Sequence, residues 1–290
     1  MDYKKQLKFN LLRNILYFCI KAIRNQQFTH FILASPVKAK KHLGQHFLTD
    51  LNIAQKIVKA LPEDDSPILE IGPGTGVLTQ YLIEKNNFTA FDIDTESIEF
   101  LKQKYPQHTD KIQFQDFLEA DLNPLANQGA FKVIGNFPYN ISTQIMFKVL
   151  EHRHQISSLV GMFQKEVAVR IAEKPGSKAY GILSVLLQAF YKIDYLFTVH
   201  ENVFNPPPKV KSAVIRLTRN TTSQLNCNED LFFKVIKASF NQRRKTIRNS
   251  VKSLSGNHVI NSIYLDKRPE QLSVQEFVEL TNSIENSIKQ

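Results

Sequence analysis

At 290 residues, with 42% hydrophobic and 22% charged residues, the chain has the size and composition of a soluble globular protein, one large domain plus a small one. Two cysteines, Cys19 and Cys227, exclude a disulfide framework, and the longest early apolar run, residues 15–20, is far too short to span a membrane. The net charge of +10 is concentrated: residues 1–41 hold nine Lys/Arg against one acid, residues 231–255 hold seven against none, and residues 42–230 hold eighteen against twenty-one. A nearly neutral body with two basic segments points to a polyanionic partner.

Residues 1–36 lack the long apolar core and cleavage site of a signal peptide; a basic amphipathic helix, a transit-like segment, an appendage and an upstream start codon read in error are all open readings, and the segment is expected to be a basic extension poorly tied to the fold. Residues 50–61 read as an amphipathic helix with Asp50 as its N-cap, broken by the Pro62 to Pro67 stretch. A short apolar strand at 68–71 runs into Gly72-Pro73-Gly74-Thr75-Gly76, and residues 77–84 have helical character. Strands are expected at 88–94, 112–115, 131–134, 158–163, 192–197 and 212–217. Helices are expected at 95–104, 143–151, 166–172 and 180–190. This alternation predicts an α/β fold, a parallel sheet with helices on both faces. A polar linker at 220–228 precedes helical patterns at 231–254 and 274–284, which predicts a small all-helical domain over 226–290 after a body at 37–220.

The glycine loop lies between a strand and a helix, where glycines allow a ligand to approach the backbone. It lacks the Gly-Lys-Ser/Thr ending of a P-loop, and its G-x-G-x-G spacing is not the dinucleotide fingerprint. A ligand with an amino-acid tail and a nucleoside fits better. Asp92 and Asp94 close the next strand, where a carboxylate can accept from ribose hydroxyls, and Asp116 closes the one after, within reach of an adenine amine. On the same edge stands Asn136-Phe137-Pro138-Tyr139. Asn136 offers a side-chain acceptor, the proline restricts the residue before it and so directs the Phe137 carbonyl, and Tyr139 offers a stacking face. Taken alone, this stretch reads equally as an amine-binding site or as a capped aromatic turn. His152 and His154 have no second ligand cluster near them in sequence, so no metal is expected.

Those residues resemble the ribosomal RNA small-subunit adenine dimethylases, a family of class I S-adenosylmethionine-dependent methyltransferases. Lys41-His-Leu-Gly-Gln-His-Phe-Leu48, Gln164-Lys-Glu-Val-Ala168, Tyr180-Gly-Ile-Leu-Ser-Val185 and the stretch from Val203 to Ala213 carry the same resemblance, from about Val37 to the C-terminus. It implies a Rossmann-like sheet, S-adenosyl-L-methionine as cofactor, and N6,N6-dimethylation of two adjacent adenosines near the 3′ end of small-subunit rRNA. It further implies a cytoplasmic monomer acting on a pre-ribosomal small subunit. By the same resemblance, His46 and Leu48 lie near the methionine end of the cofactor, with Gly72 and Gly74 beside it. Asp92 holds the ribose, Asp116 the adenine, and Asn136 the target amine next to the sulfonium. Tyr139 and Phe204 hold the flipped base. Asp92 stands where the family often has Glu. Arg243, Arg244, Lys245 and Arg248, on an expected helix, are the candidates for RNA phosphates. A large-subunit macrolide-resistance methyltransferase shares the Asn-x-Pro-Tyr type of motif, and a non-catalytic RNA-binding factor of the same fold is the alternative from another class.

Overall fold

The computed structural model describes residues 37–289 apart from residues 128 and 257; the basic extension expected over residues 1–36 lies outside them. In chain order the elements are β1 (Phe47–Leu48), α1 (Leu51–Lys59), β2 (Ile68–Ile71), β3 (Phe88–Asp92), α2 (Thr95–Lys104), β4 (Ile112–Phe114), α3 (Asn123–Ala126), β5 (Phe131–Asn136), α4 (Ser142–Glu151) and β6 (Ile156–Gln164). They continue with α5 (Lys165–Ala172), α6 (Ile182–Gln188), β7 (Tyr191–Val199), β8 (Phe204–Asn205), β9 (Ser212–Arg219), α7 (Glu229–Asn241), α8 (Ile247–Ser250), α9 (Lys252–Ser255) and α10 (Val274–Ile288).

Seven strands form one sheet in the order β4-β3-β2-β5-β6-β9-β7. The five from β4 to β6 are parallel, and each of β2, β5 and β6 is an apolar run buried along nearly its whole length, as strands covered on both faces require. The expected all-parallel sheet is corrected at its far edge. β9 pairs antiparallel with both β6 and β7. The chain between β7 and β9 contains only a 3-10 turn and the two-residue β8, with no crossover helix to return it in the parallel sense.

Two further expectations change. Residues 77–84 make only a 3-10 turn at Thr79–Tyr81, where the Thr79 hydroxyl donates to the buried Glu70 carboxylate at 2.8 Å. The helix expected over 231–254 ends at Asn241. The Lys245 N–H closes a turn on the Gln242 carbonyl, and the N–H groups of Ile247 and Arg248 go to the carbonyls of Lys267 and Leu265. From residue 39 onward the chain is one compact unit. The C-terminal helices extend the apolar core of the sheet: Phe232, Phe240 and Phe277 belong to the same buried cluster as Phe131, Leu159 and Leu187, with Tyr180 packed edge-on against Phe240. Among the described residues no helix is long and apolar enough to cross a membrane.

Candidate active site

The carboxyl ends of β4, β3, β2 and β5 lie side by side, and the chain reverses its direction of travel across the sheet between β2 and β5. Such a switch point opens a crevice at the strand ends. Gly72 and Gly74 follow β2 with φ of +67° and +53°, in the left-handed region that favours glycine. A Cβ on Gly74 would stand 2.8 Å from the Phe47 ring, so this glycine seats Phe47. One on Gly72 would meet nothing nearer than Pro138 Cδ at 3.9 Å, which leaves open space over the loop. Leu48, Gly72, Thr75, Val77 and Asn136 line a small cavity there.

The two acids of β3 separate by role. Asp92, 7% exposed, accepts from the Gly74 backbone N–H at 3.1 Å and from the Asp94 N–H at 2.9 Å. Burial raises the pKa of its carboxyl, opposed by these donors. Each oxygen keeps a further lone pair for a ligand hydroxyl. Asp94 is not a strand-end ligand. It caps α2 and takes Lys40 Nζ at 2.5 Å, Gln45 Nε2 at 2.8 Å and Ser97 Oγ at 3.0 Å. Burial opposes its charge, but the Gln45 and Lys40 bonds prevail and hold the carboxyl below the usual range. Ile93, between them, is 42% exposed, an isoleucine turned outward between two buried acids. Asp116 is half-buried after β4, its Oδ1 accepting from the Leu118 N–H at 2.8 Å.

Residues 40–48 form a strap across this edge. Asp94 pins it at Lys40 and Gln45, Phe47 rests on Gly74, and Leu48 pairs with Phe204 in the two-stranded β1–β8 sheet. In its middle, the His46 carbonyl accepts from Asn136 Nδ2 at 2.8 Å. The His46 ring stacks on Tyr139 at 5.5 Å and donates through Nδ1 to the Pro206 carbonyl at 2.8 Å.

Beyond Asn136 the motif divides. Tyr139 is half-buried and its hydroxyl bonds to Ser212 Oγ, while burial raises its pKa. Pro138 is half-buried above Gly72. The Phe137 ring is buried and packs against Phe163 at 5.1 Å. It lies over Gly135 and Gly161, which face each other in the β5–β6 register; a Cβ on Gly161 would overlap the ring. Sequence reasoning missed these two glycines; the signal for them is glycine inside an otherwise apolar strand. Among the described residues no donor occupies the Phe137 carbonyl. Phe204 is 4% exposed and packs in the core cluster with Leu48 and Met162, so it forms a wall of the site rather than an open platform.

The basic segment is not helical where it is richest in arginine. Arg243, Arg244 and Lys245 are exposed on the turn between α7 and α8; Arg243 donates to the Lys178 carbonyl at 2.7 Å. Arg248, on α8, pairs with Asp266 at 3.0 Å.

A family model described as ribosomal RNA adenine dimethylase matches residues 37–288. The chain belongs to that family. A "Ribosomal RNA small subunit methyltransferase A" of Cytophaga hutchinsonii is 60% identical over 253 residues, 86% of this chain and 98% of the relative. The protein of the same name from Flavobacterium johnsoniae is 58% identical over 252 residues, 86% of this chain and 97% of the relative. Among solved structures, a dimethyladenosine transferase from Plasmodium falciparum matches with a TM-score of 0.70 and 26% identity, covering 83% of this chain and 98% of that one. The 23S rRNA methyltransferase ErmE matches at 0.60 and 25%, covering 81% and 99%.

Adenine dimethylases of this family use S-adenosylmethionine, and the residues present fit it. The open space above Gly72, the lone pairs left on Asp92, the outward Ile93 and the half-buried Asp116 would offer that cofactor room, hydroxyl acceptors, an apolar face and an amine acceptor at the ends of β2, β3 and β4.

Proposed function

We propose that this protein transfers two methyl groups to N6 of each of two adjacent adenosines near the 3′ end of small-subunit rRNA, acting as a cytoplasmic monomer on a pre-ribosomal small subunit. One observation carries the chemistry. The His46 carbonyl can only accept, so the atom of Asn136 that meets it is the amide nitrogen, and the amide oxygen points elsewhere. That oxygen, at the end of β5 beside the glycine loop, is an acceptor held ready for an amine.

The adenine amine is a poor nucleophile because its lone pair is delocalised into the ring. Hydrogen bonds from its N–H groups, two before the first transfer and one before the second, to Asn136 Oδ1 and the Phe137 carbonyl would favour a pyramidal nitrogen and direct its lone pair, and each transfer releases one N6 proton to solvent. S-adenosylmethionine supplies an already activated sulfonium methyl, so the residues' task is positioning, which is worth roughly 7–11 kcal/mol when reactants are well oriented. The same two oxygens face the positive charge that develops on N6 and stabilise it. Gly72, Gly74, Asp92, Asp116 and Leu48 would hold the cofactor. Tyr139, braced by His46 on one side and Ser212 at its hydroxyl, would stack the everted base, a contact worth about 1–3 kcal/mol. Arg244 and Lys245, with the remaining donors of Arg243 and Arg248, would meet phosphates.

The test is methyl transfer from labelled cofactor to ribosomal subunits lacking these modifications, with the products located by mass spectrometry of each rRNA. Dimethyladenosine in the small-subunit rRNA is expected. Label confined to the large subunit, or no transfer at all, would overturn the proposal.

A further inference from the structure

We infer that Lys41, Lys165, Lys209 and Lys211 form a rim that grips RNA phosphates on either side of the adenosine drawn into the site, an inference that rests on the methyl-transfer reading above.

The four lysines come from three separate segments that meet around Tyr139. Lys165 begins α5 at the end of β6, and its backbone N–H donates to the Lys211 carbonyl at 2.9 Å. Next to them Gln164 pairs with Ser212, whose hydroxyl bonds to that of Tyr139. Lys209 follows the triple proline, where the Pro206 carbonyl accepts from His46, the residue stacked on Tyr139. Lys41 sits on the other side, in the strap turn closed by Gly44. That glycine lies against Asn140, the residue after Tyr139, so closely that a Cβ would come within 2.6 Å of its side-chain oxygen.

All four side chains are exposed, and among the described residues none forms an ion pair; the neighbouring Lys40, by contrast, is held by Asp94. For Lys165, Lys209 and Lys211 the placement runs against the background, because residues 42–230 carry more acids than bases. Over residues 40–48, 163–166 and 205–212 the single acid is Glu166. An isolated patch of lysine is ordinary surface. Unpaired lysines on three segments that converge on one exposed-edge aromatic have a direction: they favour a chain of negative charge that passes over the site while one unit enters. Lysine suits that task, since a compact ammonium on a flexible stem contacts phosphate without reading a base. Gripping the backbone on both sides also holds open the strand from which a base has been everted.

The C-terminal arginines belong to a separate segment. Arg243 spends a donor on the Lys178 carbonyl and Arg248 on Asp266, and the turn that carries Arg243 leads into the C-terminal helices.

The experiment compares the full chain with a Lys165→Gln/Lys209→Gln/Lys211→Gln variant and its Lys→Arg counterpart. Binding to unmethylated small ribosomal subunits is measured across a salt series, and S-adenosylmethionine affinity by calorimetry reports that the fold is intact. The glutamine variant should bind on the order of tenfold more weakly, with its log–log salt slope reduced by about 2, while cofactor affinity is retained and the arginine variant recovers the slope. An unchanged slope with cofactor affinity retained would overturn the rim, as would an arginine variant as weak as the glutamine one, since charge would then not be what matters. Should the glutamine variant lose cofactor binding, the single Lys209→Gln and Lys211→Gln variants are read instead, each with an expected slope change of about 0.7–0.9. Failure of the wild type to methylate small subunits would sink the functional proposal itself, and is read separately from the salt slope.

Discussion

Asn136 Nδ2 donates to the His46 carbonyl at 2.8 Å, across ninety residues of sequence. The bond joins the strap to the end of β5, and it decides which end of the amide faces the crevice. Asn136→Ala removes the acceptor and frees the strap. Turnover should fall on the order of 10²-fold, as for loss of one preorganised polar group at a reacting centre. S-adenosylmethionine affinity should change far less. Single-turnover methylation with calorimetry separates the two, and full turnover in the variant would remove Asn136 from amine positioning. Asn136→Asp should be no better than alanine, because it sets a carboxylate oxygen against the His46 carbonyl.

Asp92 is tied at both oxygens to backbone donors of Gly74 and Asp94, so it is fixed before any ligand arrives. Asp92→Ala removes the proposed ribose acceptor and leaves those two donors without their partner. Cofactor affinity should fall by about tenfold to a hundredfold, corresponding to one or two hydrogen bonds to a charged group. Turnover at saturating cofactor should largely recover. Calorimetric titration checks this; unaltered affinity would mean that the ribose is held elsewhere.

Asp94 looked equivalent to Asp92 in sequence, two residues further along an apolar strand. Only the fold distinguishes them: the strand stops at Asp92, and Asp94 faces the strap instead of the crevice. Asp94→Ala should therefore leave the strap loose at Lys40 and Gln45. The expected outcome is faster tryptic cleavage after Lys40 and Lys41, with turnover reduced through the loosened His46 carbonyl. Unchanged cleavage kinetics would show that Phe47 and the β1–β8 pairing hold the strap alone.

The strands that carry the site were legible because strands buried on both faces are written as apolar runs, and the motif ends coincide with strand ends. The antiparallel insertion of β9 was not, since its own run looks like any other strand and only the missing crossover helix reverses it. The pairing of Gly135 with Gly161 was equally hidden, because register across the turn and helix of residues 137–155 leaves no local pattern. The arginine turn was misread as helix because its apolar spacing continues while the backbone donors of Ile247 and Arg248 are drawn to residues 265–267.

Those paired glycines give their own prediction. Gly161→Ala places a methyl where the Phe137 ring lies and 2.8 Å from Phe163 Cε2, so both rings of this packed pair must shift. Overpacking of this kind costs roughly 1–3 kcal/mol. Turnover should fall as well, since Phe137 carries one of the two acceptor carbonyls. Gly161→Ala/Phe137→Leu should recover part of the stability by relieving the clash with the Phe137 ring, the contact with Phe163 remaining, while turnover recovers less. Denaturant unfolding read beside methylation rates checks both halves; a stable and fully active Gly161→Ala would show that the ring is free to move.

Glu70 supplies a pH-dependent prediction. It is fully buried beneath the glycine loop, with one bond from the Thr79 hydroxyl and the Asp92 charge nearby, and burial pushes its carboxyl up to about 8. A glutamate free in the unfolded chain titrates near 4.3. Between those values the folded state binds the extra proton, so this group's contribution to stability is complete below about pH 4, declines as pH rises, and is gone above about pH 8. Glu70→Gln keeps an acceptor for Thr79 and carries no charge, so it should abolish that dependence. The stability of the variant relative to wild type should therefore rise steadily from pH 5 to pH 8, by up to a few kcal/mol. Chemical denaturation at intervals across that range measures it. A constant difference between the two proteins would mean that Glu70 is ionised in the fold at neutral pH, and that the loop above it rests on a buried charge rather than on a neutral acid.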